Sequence, residues 1–109
     1  MRIVPGGSDL PEVELYPVAT LCWDPDELVK VLGIDLVFVD VDTGLDDAKM
    51  ASIVLPSGTV VVLLKHERSR VRGTQLHADS KILARVVLDE FLAESGIDRH
   101  KVTWVREDE

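Results

Sequence analysis

The sequence predicts an α+β fold: a two-layer sandwich in which one mostly antiparallel sheet of four to five strands carries two helices on one face, in the order α-β-β-β-β-α-β. Three observations lead there. The chain has 109 residues, the size of one domain, which buries about 65% of its unfolded surface on folding. Residues 24–33 and 80–96 space their apolar side chains with helical period between recognisable start and stop residues. Between them run short β-branched segments separated by Pro, Gly and Ser, close enough for hairpins.

Taken in order, residues 1–11 hold Pro5, Gly6, Gly7, Ser8 and Pro11 and read as a flexible arm. A single domain then spans 12–106, and 107–109 form an acidic tail. Residues 13–23 contain strand formers, but Pro17 removes a ladder donor, which points to an edge or extended segment. In Asp24–Gly33, Asp24 can cap, Pro25 suits the first helical position, and Asp26 and Glu27 complement the positive end of the dipole. Leu28, Val31 and Leu32 make one apolar face, and Gly33 ends the helix. Residues 34–41 read as a strand. Residues 49–55 and 59–66 flank Pro56-Ser57-Gly58 as a hairpin. The run Val60–Leu64 does not alternate, as expected of a central strand covered on both faces. A polar loop, 67–73, leads to the alternating segment Thr74–Asp79. Ser80 is then the expected cap of a long helix whose face is Leu83, Ala84, Val87, Leu88, Phe91 and Leu92, and Gly96 stops it. Residues 101–105 form the last strand.

Composition narrows the function classes. Aromatic residues are only 5%, so the core is aliphatic. The net charge is −8 and the pI about 4.7. Such a chain is repelled by nucleic acid and anionic membranes and attracted to basic partners. The single cysteine, Cys22, rules out an internal disulfide and a multi-cysteine zinc site. It reads as a small packed hydrophobe suited to a reducing cytoplasm. No segment approaches the roughly 20 apolar residues of a membrane span, and no cofactor motif is present.

Four groups of residues could carry chemistry. The first is Leu36–Asp47, "LVFVDVDTGLDD". An apolar run ending in Asp40 and Asp42 resembles the catalytic loop of haloacid-dehalogenase-like phosphatases. That loop reads Asp-x-Asp-Gly-Thr or Asp-x-Asp-x-Thr, whereas Thr43 and Gly44 are transposed here. A hairpin also follows where that fold needs a βα crossover. As an EF-hand loop the stretch has Gly44 one position early and Ala51 where a bidentate Glu is required. It reads instead as an acidic turn, with Asp40, Asp42, Asp46 and Asp47 available to a protein partner.

The second group is Lys65, Arg68, Arg70 and Arg72, which could grip phosphates or carboxylates through bidentate forks, or pair with nearby acids. The third is His66, His77 and Asp79. A symmetric hairpin loop would set the two imidazoles opposite each other with the carboxylate on the same face, fit for a metal or a proton. The element order also overlaps the PD-(D/E)xK nucleases, but Leu63-Leu64-Lys65 lacks the acid their chemistry needs two residues before the lysine. The fourth is the outer side of the long helix, where Ile82 and Val86 project one turn apart, flanked by Arg85, Asp89 and Glu90. Residues 10–23 could cover that patch, or a second copy or another protein could.

Together these readings favour a small, acidic, cytoplasmic, non-catalytic binding module acting through protein–protein contacts, as an inhibitor, immunity-like protein or regulatory subunit, with a basic partner or itself. The alternatives are phosphate or nucleic-acid binding through 65–72, and a small enzyme or metal site at His66, His77 and Asp79.

Overall fold

Seven strands, all paired antiparallel, make one sheet in the computed structural model, which describes residues 2–4, 14–33, 36–42, 47–67 and 72–107, with the backbone alone at 2–4, 41 and 42. The elements are β1 (Arg2–Val4), β2 (Leu15–Leu21), α1 (Pro25–Leu32), β3 (Val39–Asp42), β4 (Asp47–Val54), β5 (Val60–His66), β6 (Thr74–Asp79), α2 (Ala84–Ser95), a 3-10 turn (Arg99–Lys101) and β7 (Val102–Val105). The strand order is β1-β4-β5-β6-β2-β7. β3 shares the outer edge of β4: it takes Asp47–Met50, while β1 takes Ser52–Val54. The fold is α+β with one antiparallel sheet and two helices. The expected four to five strands become seven.

The added strands have identifiable causes. β1 lies within the stretch expected to be an arm. Its three residues align with the apolar end of β4, Ile3 opposite Ile53. β2 is interior, between β6 and β7, despite Pro17. Its pairing with β6 shifts register between Pro17 and Ala19, so the missing donor falls where the ladder is already interrupted. β3 is shorter than the expected 34–41. Leu36 is buried and Val37 is 72% exposed, an alternation without ladder pairing.

The core lies between one face of the sheet and both helices. Ala51 pairs with Leu63, Leu63 with Leu76, and Leu76 with Ala19, which makes one apolar row across four strands. Leu28 of α1 and Ala84, Val87, Leu88, Phe91 and Leu92 of α2 join the same cluster. β5 is central and covered on both faces: Val61, Val62 and Leu63 are all buried. On the other face a second row runs Ser52, Val62, His77, Pro17.

Two helix starts depart from the sequence reading. The Asp24 side chain makes no cap bond to α1; its carboxylate accepts the Gly73 N–H instead, at 2.9 Å. α2 begins at Ala84, not after Ser80, and Leu83 occupies the cap position and is partly exposed. The Asp79 carboxylate accepts the Lys81 N–H and the Asp79 carbonyl accepts the Ile82 N–H. This local turn holds 79–82 out of helical geometry. No helix among the described residues is long and apolar enough to cross a membrane.

Candidate interaction surface

Strand register lays the charged residues out in rows at one end of the sheet. In one row Asp40 faces Lys49, and Lys49 faces Lys65. The signs are partly matched there: Lys49 Nζ lies 3.3 Å from Asp40 Oδ1, and Lys65 Nζ lies 3.5 Å from Asp24 Oδ1. Two residues along, Asp42 faces Asp47, and the Glu67 N–H donates to the Asp47 carbonyl at 2.9 Å. Asp42, Asp47 and Glu67 are therefore neighbours at the ends of three adjacent strands, Glu67 one residue past β5. Asp47 and Glu67 are exposed, and neither makes an ion pair among the described residues. Like charges directly opposite each other in a ladder are unfavourable. Asp46 lies outside the described residues.

The basic group is spent differently. Arg68 and Arg70 lie outside the described residues. Lys65 is held against Asp24, and Arg72 donates to both carboxylate oxygens of Glu27, at 2.7 and 2.8 Å. Asp24 is held below the usual carboxylate range, first by the Gly73 N–H and then by the charges of Lys65 and Arg72, against the opposing effect of burial. The Arg72 guanidinium is shifted upward by its hydrogen bond to Glu27 and by that carboxylate's charge. Both acids belong to the start of α1, more than forty positions from their cations. Nothing local in the sequence marks that pairing.

The histidines do not face each other. β5 and β6 align Val62 with His77 and Leu64 with Gln75, which carries His66 past the far end of that pairing. The core decides this register. Setting His66 opposite His77 would put Leu63 against Ser80 instead of Leu76, stranding an apolar row. His77 Nε2 lies 3.0 Å from Gln75 Oε1, and Asp79 is engaged in the turn before α2. Among the described residues no three His, Cys, Asp or Glu side chains form a metal-binding group, so His66, His77 and Asp79 do not converge.

His77 nonetheless has a measurable consequence. Burial, then the nearby His66, pushes its pKa from 6.5 down to about 4. Between those two values the unfolded chain binds more protons than the folded one, so stability is full above pH 6.5 and falls as pH drops toward 4. The loss is up to about 3 kcal/mol. In urea titrations at pH 7 and pH 5, His77→Leu should flatten this leg; the same pH dependence in both proteins would contradict the assignment.

The expected patch on α2 divides. Ile82 precedes the helix, packs half-buried against the core, and its carbonyl accepts from Arg106 Nη2 at 3.0 Å. Val86 stays 52% exposed, with Leu83 at 39% one turn before it. The exposed apolar pair is thus Leu83 and Val86, because the late helix start turns Ile82 inward and Leu83 outward. Glu90 is committed to the β4–β5 turn, where it accepts from the Ser57 N–H and hydroxyl. Sequence reasoning also passed over Trp104 and Val105 on β7, which are 47% and 38% exposed. The signal was a short apolar strand between charged blocks.

Comparison with protein-family models, curated proteins and solved structures finds no match to this chain.

Proposed function

We propose that this protein is a non-catalytic binding module that engages a basic surface on another protein, as an inhibitor, an immunity-like protein or a regulatory subunit does. The observation that carries this reading is the row Asp42, Asp47, Glu67, which the register aligns and in which Asp47 and Glu67 are exposed and make no ion pair among the described residues. A net charge of −8 extends the same sign over the molecule. It steers a cationic partner to this edge, and complementary charge then sets the register of contact. Exposed apolar side chains such as Val86 supply anchors whose burial slows dissociation. A reducing cytoplasm suits the lone Cys22.

The alternative, a phosphate or nucleic-acid ligand at Lys65, Arg68, Arg70 and Arg72, has less support, because such a ligand must displace Asp24 from Lys65 and Glu27 from Arg72. Affinity capture from cell extract tests the main reading. The wild-type chain should retain a basic protein that elutes as salt rises. Asp47→Lys combined with Glu67→Lys should lose that protein while its circular dichroism stays unchanged. Retention of the same protein by the charge-reversed variant would overturn the proposal.

A further inference from the structure

The two edges of the sheet are built differently. One is divided between β1 and β3, and β3 carries Asp40 and Asp42. Charged residues on a short, divided edge discourage pairing with another strand. Among the described residues the opposite edge is β7 alone, Val-Thr-Trp-Val, with no charge and no proline, and with one register shift at Thr103 in its pairing with β2. Arg106 donates its N–H to the Val18 carbonyl, and Ala19 faces Val105. By the alternation of an antiparallel ladder, the N–H and C=O of Val105 therefore point away from β2. Trp104 and Val105 are 47% and 38% exposed, a large apolar area beside the outward-pointing backbone groups of Val105.

The residues flanking β7 say what fits there. Arg99, His100 and Lys101 precede it; Arg106, whose guanidinium turns back to the Ile82 carbonyl, and then Glu107 follow, with Asp108 and Glu109 next in sequence. Read in reverse, this pattern is its own complement: basic, apolar, acidic against acidic, apolar, basic. We propose that a second copy of this chain docks on β7, pairing the two edge strands antiparallel about a two-fold axis to make one continuous sheet. The proposal deepens the reading of the chain as a protein-contact module by making one of its partners itself. Centring the pairing on Trp104 sets it against its own counterpart and brings the basic end of each β7, at Lys101, beside the acidic end of the other, at Glu107. Both charge pairs are then opposite in sign, and the two indoles meet on the face of the sheet away from the helices. Arg99 stays with Asp89 of α2 and needs no change of partner.

Light scattering across a range of concentrations tests this with the full chain. The wild type should approach twice 12.1 kDa as concentration rises. Lys101→Glu, which sets like charges against each other at both sites, should weaken the dimer at least about tenfold. Lys101→Glu combined with Glu107→Lys should restore it, a rescue that loss of folding cannot mimic. Hydrogen exchange supplies a second readout: the Val105 amide should be slowed at high concentration only. A wild-type mass of 12.1 kDa at every concentration would overturn the proposal, and so would a dimer indifferent to Lys101→Glu. Either result leaves capture of a basic protein by the acidic row as a separate question, so the two readings fail independently.

Discussion

Replacing Phe91 with alanine should lower the unfolding free energy by about 3–5 kcal/mol, the range for emptying a large buried aromatic site. Phe91 is fully buried and is the largest of the fully buried side chains. It sits in the middle of the inward face of α2, between Val87 and Leu88 before it and Leu92 after it. The chain has few aromatic residues to fill space, and the surrounding Leu, Val and Ala side chains are too short to close the void without moving the helix. A domain of this size has about 5–15 kcal/mol in total, so the variant should lose about a fifth or more of its stability. Its melting temperature should fall by more than about 10 °C. Urea unfolding gives the number. Phe91→Leu, which keeps most of the volume, should lose clearly less. A loss below about 1 kcal/mol for the alanine variant would mean that α2 does not pack on the sheet as described.

Gly73→Ala should be nearly as damaging, for a different reason. Gly73 has φ +125, and a Cβ built there would lie 2.1 Å from the Leu21 carbonyl oxygen. That oxygen is backbone at the end of an interior strand and has nowhere to go. The same residue's N–H holds the Asp24 carboxylate, so moving it also loosens the start of α1 and the Lys65 contact. The expected cost is about 3 kcal/mol or more, combining the strain of positive φ with the clash. Gly58→Ala is the matched control. It also has positive φ, at +91, but open space around the added methyl, so it should cost only about 1 kcal/mol. Equal losses at the two positions would show that the close approach to Leu21 is not what Gly73 is for.

What could be read from the sequence follows from the range of the forces involved. α1 was legible because its boundaries are local: Pro25 at its first position and Gly33 at its end. The β4–β5 hairpin and the buried run in β5 were legible from Pro56-Ser57-Gly58 and from the absence of alternation. β1 was not, because three residues before a Pro/Gly stretch gain strand structure only from Ser52–Val54, some fifty positions away. Pro17 points to an edge or an extended segment, yet β2 is interior; the neighbouring register shift that accommodates it leaves no sequence signature. The start of α2 was misplaced because Asp79, not Ser80, supplies the local hydrogen bonds, and that exchange moved Ile82 inward.

The candidate surface divides along the same line. Asp40, Asp42 and Asp47 were visible as an acidic stretch. Their alignment with Glu67 needs the β4–β5 register, which is set by Leu63 and the apolar row. The partners of Lys65 and Arg72 lie on α1, and only the folded chain brings them together. The histidine arrangement failed on that same register. Setting His66 opposite His77 requires a symmetric loop, whereas burial of Leu63 and Leu76 fixes the alignment.

The sign of the binding surface is the central claim, and a paired titration at low salt tests it without knowing the partner. The immobilised chain is exposed in turn to polylysine and to heparin. The acidic row should retain polylysine, with retention weakened by Asp47→Lys with Glu67→Lys, and the chain should not retain heparin. Heparin binding that disappears in Lys65→Ala with Arg72→Ala would contradict it.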